Sequence, residues 1–418
     1  MKLVFNTSEI ITVNANGKGN KVKDEMQDLG IVPKGAMIFD EKVHFIGSEV
    51  ECRKYIADNN IPIYEEINAH NKTLMPGFVD AHTHIVFGGD RTKEFAMRLR
   101  GATYKEIAAM GGGIQTTVKG TREASIEELY KTGFDLAQNA IKHGTTTMEV
   151  KSGYSLNFKG EIKQLEAIKH LNNNIDIDIV PTFLGAHDFP LELKHDRDRF
   201  IDSITQEMLP YIRENNLAQF CDAFIDEGYY TVEEGRRVLN AGLALGFDLK
   251  VHCDELADVG AAKLAAELGA ISADHLLYIN DEGIAAMQKS GTAAGLLPGT
   301  AYFIRLPYAP ARKLIEQGVI VSIATDCNPG SCFTENMQQI MSLSTINMGM
   351  TAEETVVAST LNAAYALKKQ DTKGSLEKGK DADFILLNGS SYVDLFYHFG
   401  INHVGSVYAR GKKLVWGW

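Results

Sequence analysis

Apolar and polar positions follow two different rhythms along the chain. At the start, Leu3-Val4-Phe5, Ile10-Ile11-Thr12-Val13 and Ala36-Met37-Ile38-Phe39 are short apolar runs separated by Asn, Gly and Pro, and Lys42-Val43-His44-Phe45-Ile46 alternates before Gly47. Runs of this length bounded by turn residues predict β-strands. The far end reads alike: Asp383-Phe384-Ile385-Leu386-Leu387 stops at Asn388-Gly389, and Val404 to Tyr408 turns at Arg410-Gly411 before Lys413-Leu414-Val415-Trp416. Short strands at both ends of a long middle predict a small β-sandwich assembled from the two termini, over residues 1–70 and 371–418.

Residues 71–370 change rhythm. Leu74–Asp80, Thr145–Val150, Ile177–Phe183, Phe220–Ile225, Asp248–Val251, Ala270–Ala273, Thr292–Leu297 and Val319–Ala324 are eight strand candidates. Between them lie helix signals. Ser125-x-x-Glu128, Thr231-x-x-Glu234 and Thr351-x-x-Glu354 are capping boxes, in which side chain and backbone satisfy each other's orphan donors. Ile162, Leu165, Ile168 and Leu171 recur near the helical period. Continuous apolar strands separated by helices predict a parallel sheet covered on both faces. Period and length alone suit a (β/α)8 barrel or an open sheet.

The polar residues at the strand ends favour the barrel. His82 and His84 come after the first strand, Lys151 and Tyr154 after the second, His187 after the third and Asp226-Glu227 after the fourth. His252 and Glu255 lie at and after the end of the fifth, His275 after the sixth, and Asp326 and Asn328 after the eighth. In a barrel all these strand ends converge on one mouth, where active sites sit.

Composition removes several classes. The chain has 418 residues, with 42 Lys+Arg against 54 Asp+Glu and a net charge of −12. It carries no basic run that could neutralise phosphates, so no nucleic-acid partner is expected. It also lacks an apolar stretch of roughly 18 residues, so no membrane span is expected. The N-terminus shows no signal-peptide pattern. Five cysteines without a C-x-x-C pair predict free thiols in a reducing compartment, the cytoplasm. Gly111-Gly112-Gly113 lacks the Lys-Ser/Thr of a phosphate loop and predicts a loop over the pocket. His143-Gly144 resembles a helix C-terminus.

Asp80-Ala81-His82-Thr83-His84 places two imidazoles two residues apart. Residues i and i+2 of an extended segment face the same way, so both rings can reach one cation. With His252 and Asp326 they make a set of three nitrogens and a carboxylate, which suits one Zn²⁺ or Fe²⁺ per chain.

The motifs together resemble the amidohydrolase superfamily. The matching stretches are Pro76-Gly77-Phe78-Val79-Asp80-Ala81-His82-Thr83-His84, His252-Cys253-Asp254-Glu255, Ser322-Ile323-Ala324-Thr325-Asp326 and Gly374 to Asp383. The resemblance implies a metal-dependent (β/α)8 TIM-barrel hydrolase with a terminal β-sandwich. The fourth strand holds no Lys to bridge two metals, which favours a single ion. Within the superfamily the chain is similar to the imidazolonepropionase family, through Phe87 to Arg91, Gly111 to Ile114, Lys151 to Tyr154, Thr182 to His187 and Thr325 to Ser331. One departure is Ser155-Leu156-Asn157 after Tyr154, where the family usually has Gly-Leu-Asp.

That resemblance implies hydrolysis of 4-imidazolone-5-propanoate, a small molecule, to N-formimidoyl-L-glutamate. It gives metal ligation to His82, His84, His252 and Asp326, and substrate contacts to Arg91, Tyr154, His187, Glu255, Asn328, Gly330 and Ser331. A shielded carboxyl beside a metal suits Glu255 as proton shuttle; the alternative is an exposed helix N-terminal glutamate. Asp326 and His275 are both candidates for the base, and His275 could instead be a hydrogen-bonded core residue. Arg91 offers a bidentate clamp for the propionate. The rival activity on the same fold is deamination of a purine or pyrimidine ring. Similar enzymes are commonly homodimers.

Overall fold

The β-branched and apolar runs of the middle region become eight parallel strands because helices cover their outer face. The computed structural model describes residues 1–102 and 112–415. Phe78–Asp80, Thr145–Lys151, Asp178–Ala186, Phe220–Ile225, Asp248–Cys253, Ser272–His275, Ala293–Leu296 and Val321–Ile323 pair in chain order, each beside the next. The first and eighth close the ring just beyond their ends, where Asp326 N donates to His82 O (2.9 Å) and His84 N to Cys327 O (2.9 Å). This is the expected (β/α)8 barrel.

The intervening helices start and stop as the local chemistry dictates. Ile126–Lys142 begins at Ser125, whose hydroxyl and Glu128 form the capping box, and its C-cap His143 is followed by Gly144 at φ +102°. Leu129, Gly133, Ala137, Ala140 and Ile141 form its buried stripe. Thr231 and Thr351 cap Val232–Ala244 and Ala352–Ala358 in the same way. Gly113, at φ +81°, precedes the helix Ile114–Glu123, whereas Gly111 lies outside the described residues, so the loop expected there is placed only in part. No helix among the described residues is long and apolar enough to cross a membrane.

The chain ends build two further sheets. Lys2–Phe5, Gly35–Phe39, Val43–Ser48 and Glu65–Asn68 make one of four strands. The six-stranded sheet combines Glu9–Ile11, Ile31–Pro33 and Thr73–Pro76 with Phe384–Leu387, Val404–Ala409 and Lys412–Val415. Val4, Met37 and Phe39 of the first pack on Leu74, Phe384 and Tyr408 of the second. The Phe384 and Tyr408 rings stack at 4.3 Å, and Phe39 meets Phe384 edge-on at 5.1 Å.

One expected strand is two. Leu74–Asp80 reads as continuous, but Thr73–Pro76 pairs with Phe384–Leu387 in the terminal sheet and Phe78–Asp80 with Thr145–Lys151 in the barrel. The break is Gly77, where a Cβ would stand 2.3 Å from Thr146 Oγ1. An unbroken apolar pattern cannot reveal a change of sheet, because both sheets bury the same kind of residue. A second junction lies at the buried Lys373, whose ammonium sits among Asp178 of the third barrel strand, Asp381 (2.8 Å) and Asp383 (2.7 Å). Those three carboxylates are close enough together to hold a cation, and the lysine already serves as one.

Candidate functional site

The strand ends converge on a cavity of about 580 Å³ at the C-terminal mouth of the barrel. Among its lining residues are His84, Arg91, Tyr154, His187, His252, Glu255, His275, Asp326, Asn328, Gly330 and Ser331. His82 lies directly behind, its ring 4.4 Å from that of His252. The residues expected to hold the metal, bind the substrate and move protons are therefore brought together.

His82 and His84 extend past the first strand and His252 is the fifth residue of the six-residue strand Asp248–Cys253. His84 Nε2 lies 3.2 Å from His82 Nε2 and 3.4 Å from His252 Nε2. Tautomers follow from the other ring nitrogens. His82 Nδ1 is within hydrogen-bond distance of Asp274 Oδ2 at 2.8 Å and His252 Nδ1 stands 3.0 Å from Asp222 Oδ2, so a proton on each Nδ1 faces a carboxyl oxygen. Two Nε2 lone pairs are thus turned toward His84, whose single Nε2 proton could serve only one. Four ligands at roughly 2.0–2.1 Å in a tetrahedron stand about 3.3–3.4 Å apart, close to the separations found. The donor set therefore fits a divalent transition-metal ion. Asp326 Oδ1 stands slightly farther off, 3.6 Å from His82 Nε2 and 3.5 Å from His84 Nε2, while Thr300 donates to its Oδ2 at 2.5 Å.

Glu255 is not the exposed helix-end residue of the alternative reading. It is 8% exposed and follows the fifth strand in a turn that Asp226 holds by accepting from the backbone N–H groups of Glu255, Leu256 and Ala257. Burial raises its pKa well above the ordinary carboxyl value, and the charges of Asp326 and Asp226 add to the effect. His275 Nδ1 is 3.7 Å from Glu255 Oε1, and burial lowers its pKa well below the usual histidine value. His275 and Leu276 both take left-handed backbone, at φ +78° and +63°, which places strain at this corner of the cavity. His187 Nδ1 contacts Gly153 O at 3.1 Å, and burial lowers its pKa to about 3, so it is neutral.

The rim is built from two segments. Arg91 immediately precedes the helix Thr92–Leu99, and its Nε and Nη2 pair with Glu94 at 2.8 Å, leaving Nη1 at Gly330. Asn328 is more committed than its expected substrate role implies. Its Nδ2 donates to Asp326 O and Ser331 Oγ, and its Oδ1 accepts from the N–H groups of Gly330 and Ser331, so both ends of the amide hold the loop.

Some residues escaped the sequence reading. Glu94 links Arg91 to Gly113 N (3.1 Å) and Thr116 Oγ1 (2.8 Å), and Arg98 donates to Gly330 O at 2.9 Å. Beneath the histidines, Glu149, Asp222, Lys250 and Asp274 join Lys151, which the sequence places at a strand end, in filling the barrel with buried charge. Their signal was period-two polarity inside apolar strands, as in Glu149-Val150-Lys151 and Lys250-Val251-His252.

Residues 236–414 match the model of the Amidohydrolase family. The imidazolonepropionase of Geobacillus kaustophilus is 45% identical over 408 residues, covering 97% of this chain and 96% of the relative. That of Alkaliphilus metalliredigens is 44% identical over 415 residues, covering 99% and 97%. In fold, the chain matches the zinc complex of atrazine chlorohydrolase from Arthrobacter aurescens at a TM-score of 0.75 and 15% identity, covering 100% of this chain and 96% of that one. A zinc-bound adenosine deaminase from Xanthomonas campestris follows at 0.68 and 18%, covering 100% and 93%. The barrel is thus shared with enzymes of different chemistry, while the close relatives have one name. The chain belongs to the imidazolonepropionase family of amidohydrolases.

Proposed function

We propose that the cavity opens the five-membered ring of 4-imidazolone-5-propanoate by hydrolysis, giving N-formimidoyl-L-glutamate. The observation that carries this reading is the convergence, in one cavity, of the three-histidine group, the buried carboxyl of Glu255 and the guanidinium of Arg91. His82, His84, His252 and Asp326 would hold one divalent ion, zinc or iron. Such an ion supplies Lewis acidity, polarising a carbonyl and making water nucleophilic at neutral pH.

The chain's own groups handle binding and protons. Arg91 binds the propionate through Nη1, with its other edge fixed by Glu94. Tyr154 and His187 wall the ring, their own rings 5.3 Å apart. Asp326 or His275 takes a proton from the attacking water, whose oxygen bonds to the ring carbonyl carbon. The adjacent C–N bond then breaks, and Glu255, whose burial favours the protonated carboxyl, supplies the proton for the departing nitrogen. The carbonyl carbon becomes a carboxylate and the nitrogen the end of the formimidoyl group. The five free, buried cysteines support the cytoplasm as the compartment.

An ultraviolet assay of the purified protein with imidazolonepropionate tests the reading. Loss of the ring chromophore without ammonia release is expected. Ammonia released from guanine or cytosine, with imidazolonepropionate untouched, would replace this reading with the deaminase.

A further inference from the structure

The interior of the barrel below the histidines is not the branched apolar packing usual for this fold. Lys151 Nζ bridges Glu149 Oε1 (2.9 Å) and Asp222 Oδ2 (2.8 Å). Lys250 Nζ contacts the other oxygen of the same glutamate, Oε2, at 3.2 Å, reaches Asp274 Oδ2 at 3.6 Å and donates to Ala81 O at 2.8 Å. Thr182 Oγ1 adds a donor to Glu149 Oε1 at 2.5 Å. Every side chain of the five is 2% exposed or less. Asp222 and Asp274 in turn face the Nδ1 atoms of His252 and His82. The contacts form one continuous path: His252, Asp222, Lys151, Glu149, Lys250, Asp274, His82.

A buried ion pair is seldom retained for stability alone, since well-packed apolar groups of the same volume do as well. This path has a second property. It holds three carboxyl groups against two lysines, and it terminates on the two histidines whose Nε2 atoms are turned toward His84. We propose that Lys151 and Lys250, joined through Glu149, are positioning residues that brace His82 and His252 in register for a divalent cation. This rests on the reading of the histidine group as a cation site. Lys151 fixes the Asp222 carboxylate against His252, and Lys250 does the same for Asp274 and His82. Glu149 sets the spacing between the two arms.

The sign of the effect on affinity separates the brace from simple electrostatics. A buried ammonium repels a nearby cation, so by field alone Lys151→Met should tighten metal binding. Under the brace it weakens binding, because Asp222 loses its anchor and His252 its orientation. Partners of this kind, behind the ligands, typically contribute ~10–100-fold in metal affinity.

Metal-free protein is prepared by chelation, its fold verified by circular dichroism, and Zn²⁺ affinity measured by competition with a chromophoric chelator. Lys151→Met and Lys250→Met are each expected to raise the Kd for Zn²⁺ by about 10–100-fold. Unchanged or tighter binding by folded variants overturns the proposal and leaves the network as barrel filling. Glu149→Gln, which keeps size and shape, is the second variant should the lysine variants not fold; it is expected to weaken binding at least about tenfold, and unchanged affinity overturns the brace. Co²⁺ absorption supplies a readout of ligand geometry, which a purely structural network would leave unaltered. Failure of the unmodified protein to bind Zn²⁺ would instead sink the cation-site reading itself.

Discussion

At the scale of single residues, the two ends of the substrate separate into two tests. Glu255→Gln keeps shape and polarity but cannot exchange a proton, so kcat should fall by ~10²–10⁴-fold with Zn²⁺ still bound. Activity within a few-fold of the parent would transfer the proton step elsewhere. Arg91→Met should cut kcat/KM by roughly ten- to a hundred-fold, since a charged hydrogen bond contributes ~1.5–3 kcal/mol. Most of that loss belongs in KM if ground and transition states are held alike. Gly330 offers an independent check. A Cβ there would stand 2.0 Å from Arg91 Nη1, so Gly330→Ala should push the guanidinium aside and raise KM while thermal stability barely changes. An unaltered KM in Gly330→Ala would mean that Nη1 has no part in binding.

At the scale of elements, the strand and cap patterns carried most of the fold. The Thr231 box is a good example: its hydroxyl accepts from Glu234 N at 3.2 Å, and Thr231→Ala should cost about 1 kcal/mol of stability, read as a small fall in Tm. The eight barrel strands were legible because both their faces are buried, which leaves near-continuous apolar runs. The same property hid the junction at Gly77, where two sheets share one run of residues. The mouth was legible through His82, His84, His252 and Asp326, since ligating side chains stand out at strand ends. Glu149, Lys250 and Asp274 were harder to see: a charged residue in a strand usually marks a solvent-facing position, and only closure of the barrel turns it inward. Glu94 was missed for a different reason. Its partner Arg91 lies one helical turn away, but its role depends on Gly113, brought close by the fold rather than by spacing.

At the scale of the whole molecule, two features tie its parts together. Lys373 joins the C-terminal segment to the third barrel strand through Asp178. Burial alone would lower its pKa, but Asp383 and Asp178 outweigh that and raise it above the ordinary lysine value. Its contribution is therefore complete below the unfolded lysine pKa and is lost as pH rises through the higher folded value. Lys373→Met leaves buried carboxylates unpaired and should destabilise the protein by about 3–5 kcal/mol, measurable by urea unfolding. A change below about 1 kcal/mol would show the junction held by packing alone, as expected of a pair that water screens. The second tie is the cation proposed for the histidine group. Chelation should abolish turnover and lower Tm together, because a ligand at a hundred times its Kd stabilises the folded state by about 2.7 kcal/mol. Zn²⁺ or Fe²⁺ should restore both, and recovery of Tm without turnover would separate the structural role of the ion from the catalytic one.

The six-stranded terminal sheet has a consequence for the order of events on the ribosome. Thr73–Pro76 leads through Gly77 into the first barrel strand, yet its partner Phe384–Leu387 is translated roughly 300 residues later. Until then that edge has unpaired N–H and C=O groups and an uncovered apolar face. Non-local pairing of this kind slows folding and lengthens the exposure of sticky intermediates. The barrel strands and helices can emerge and pair in succession, whereas the sandwich must wait for its last strands. The sheet at the bottom of the barrel therefore stays half made while the barrel strands are translated, until Phe384–Leu387, Val404–Ala409 and Lys412–Val415 emerge and complete it.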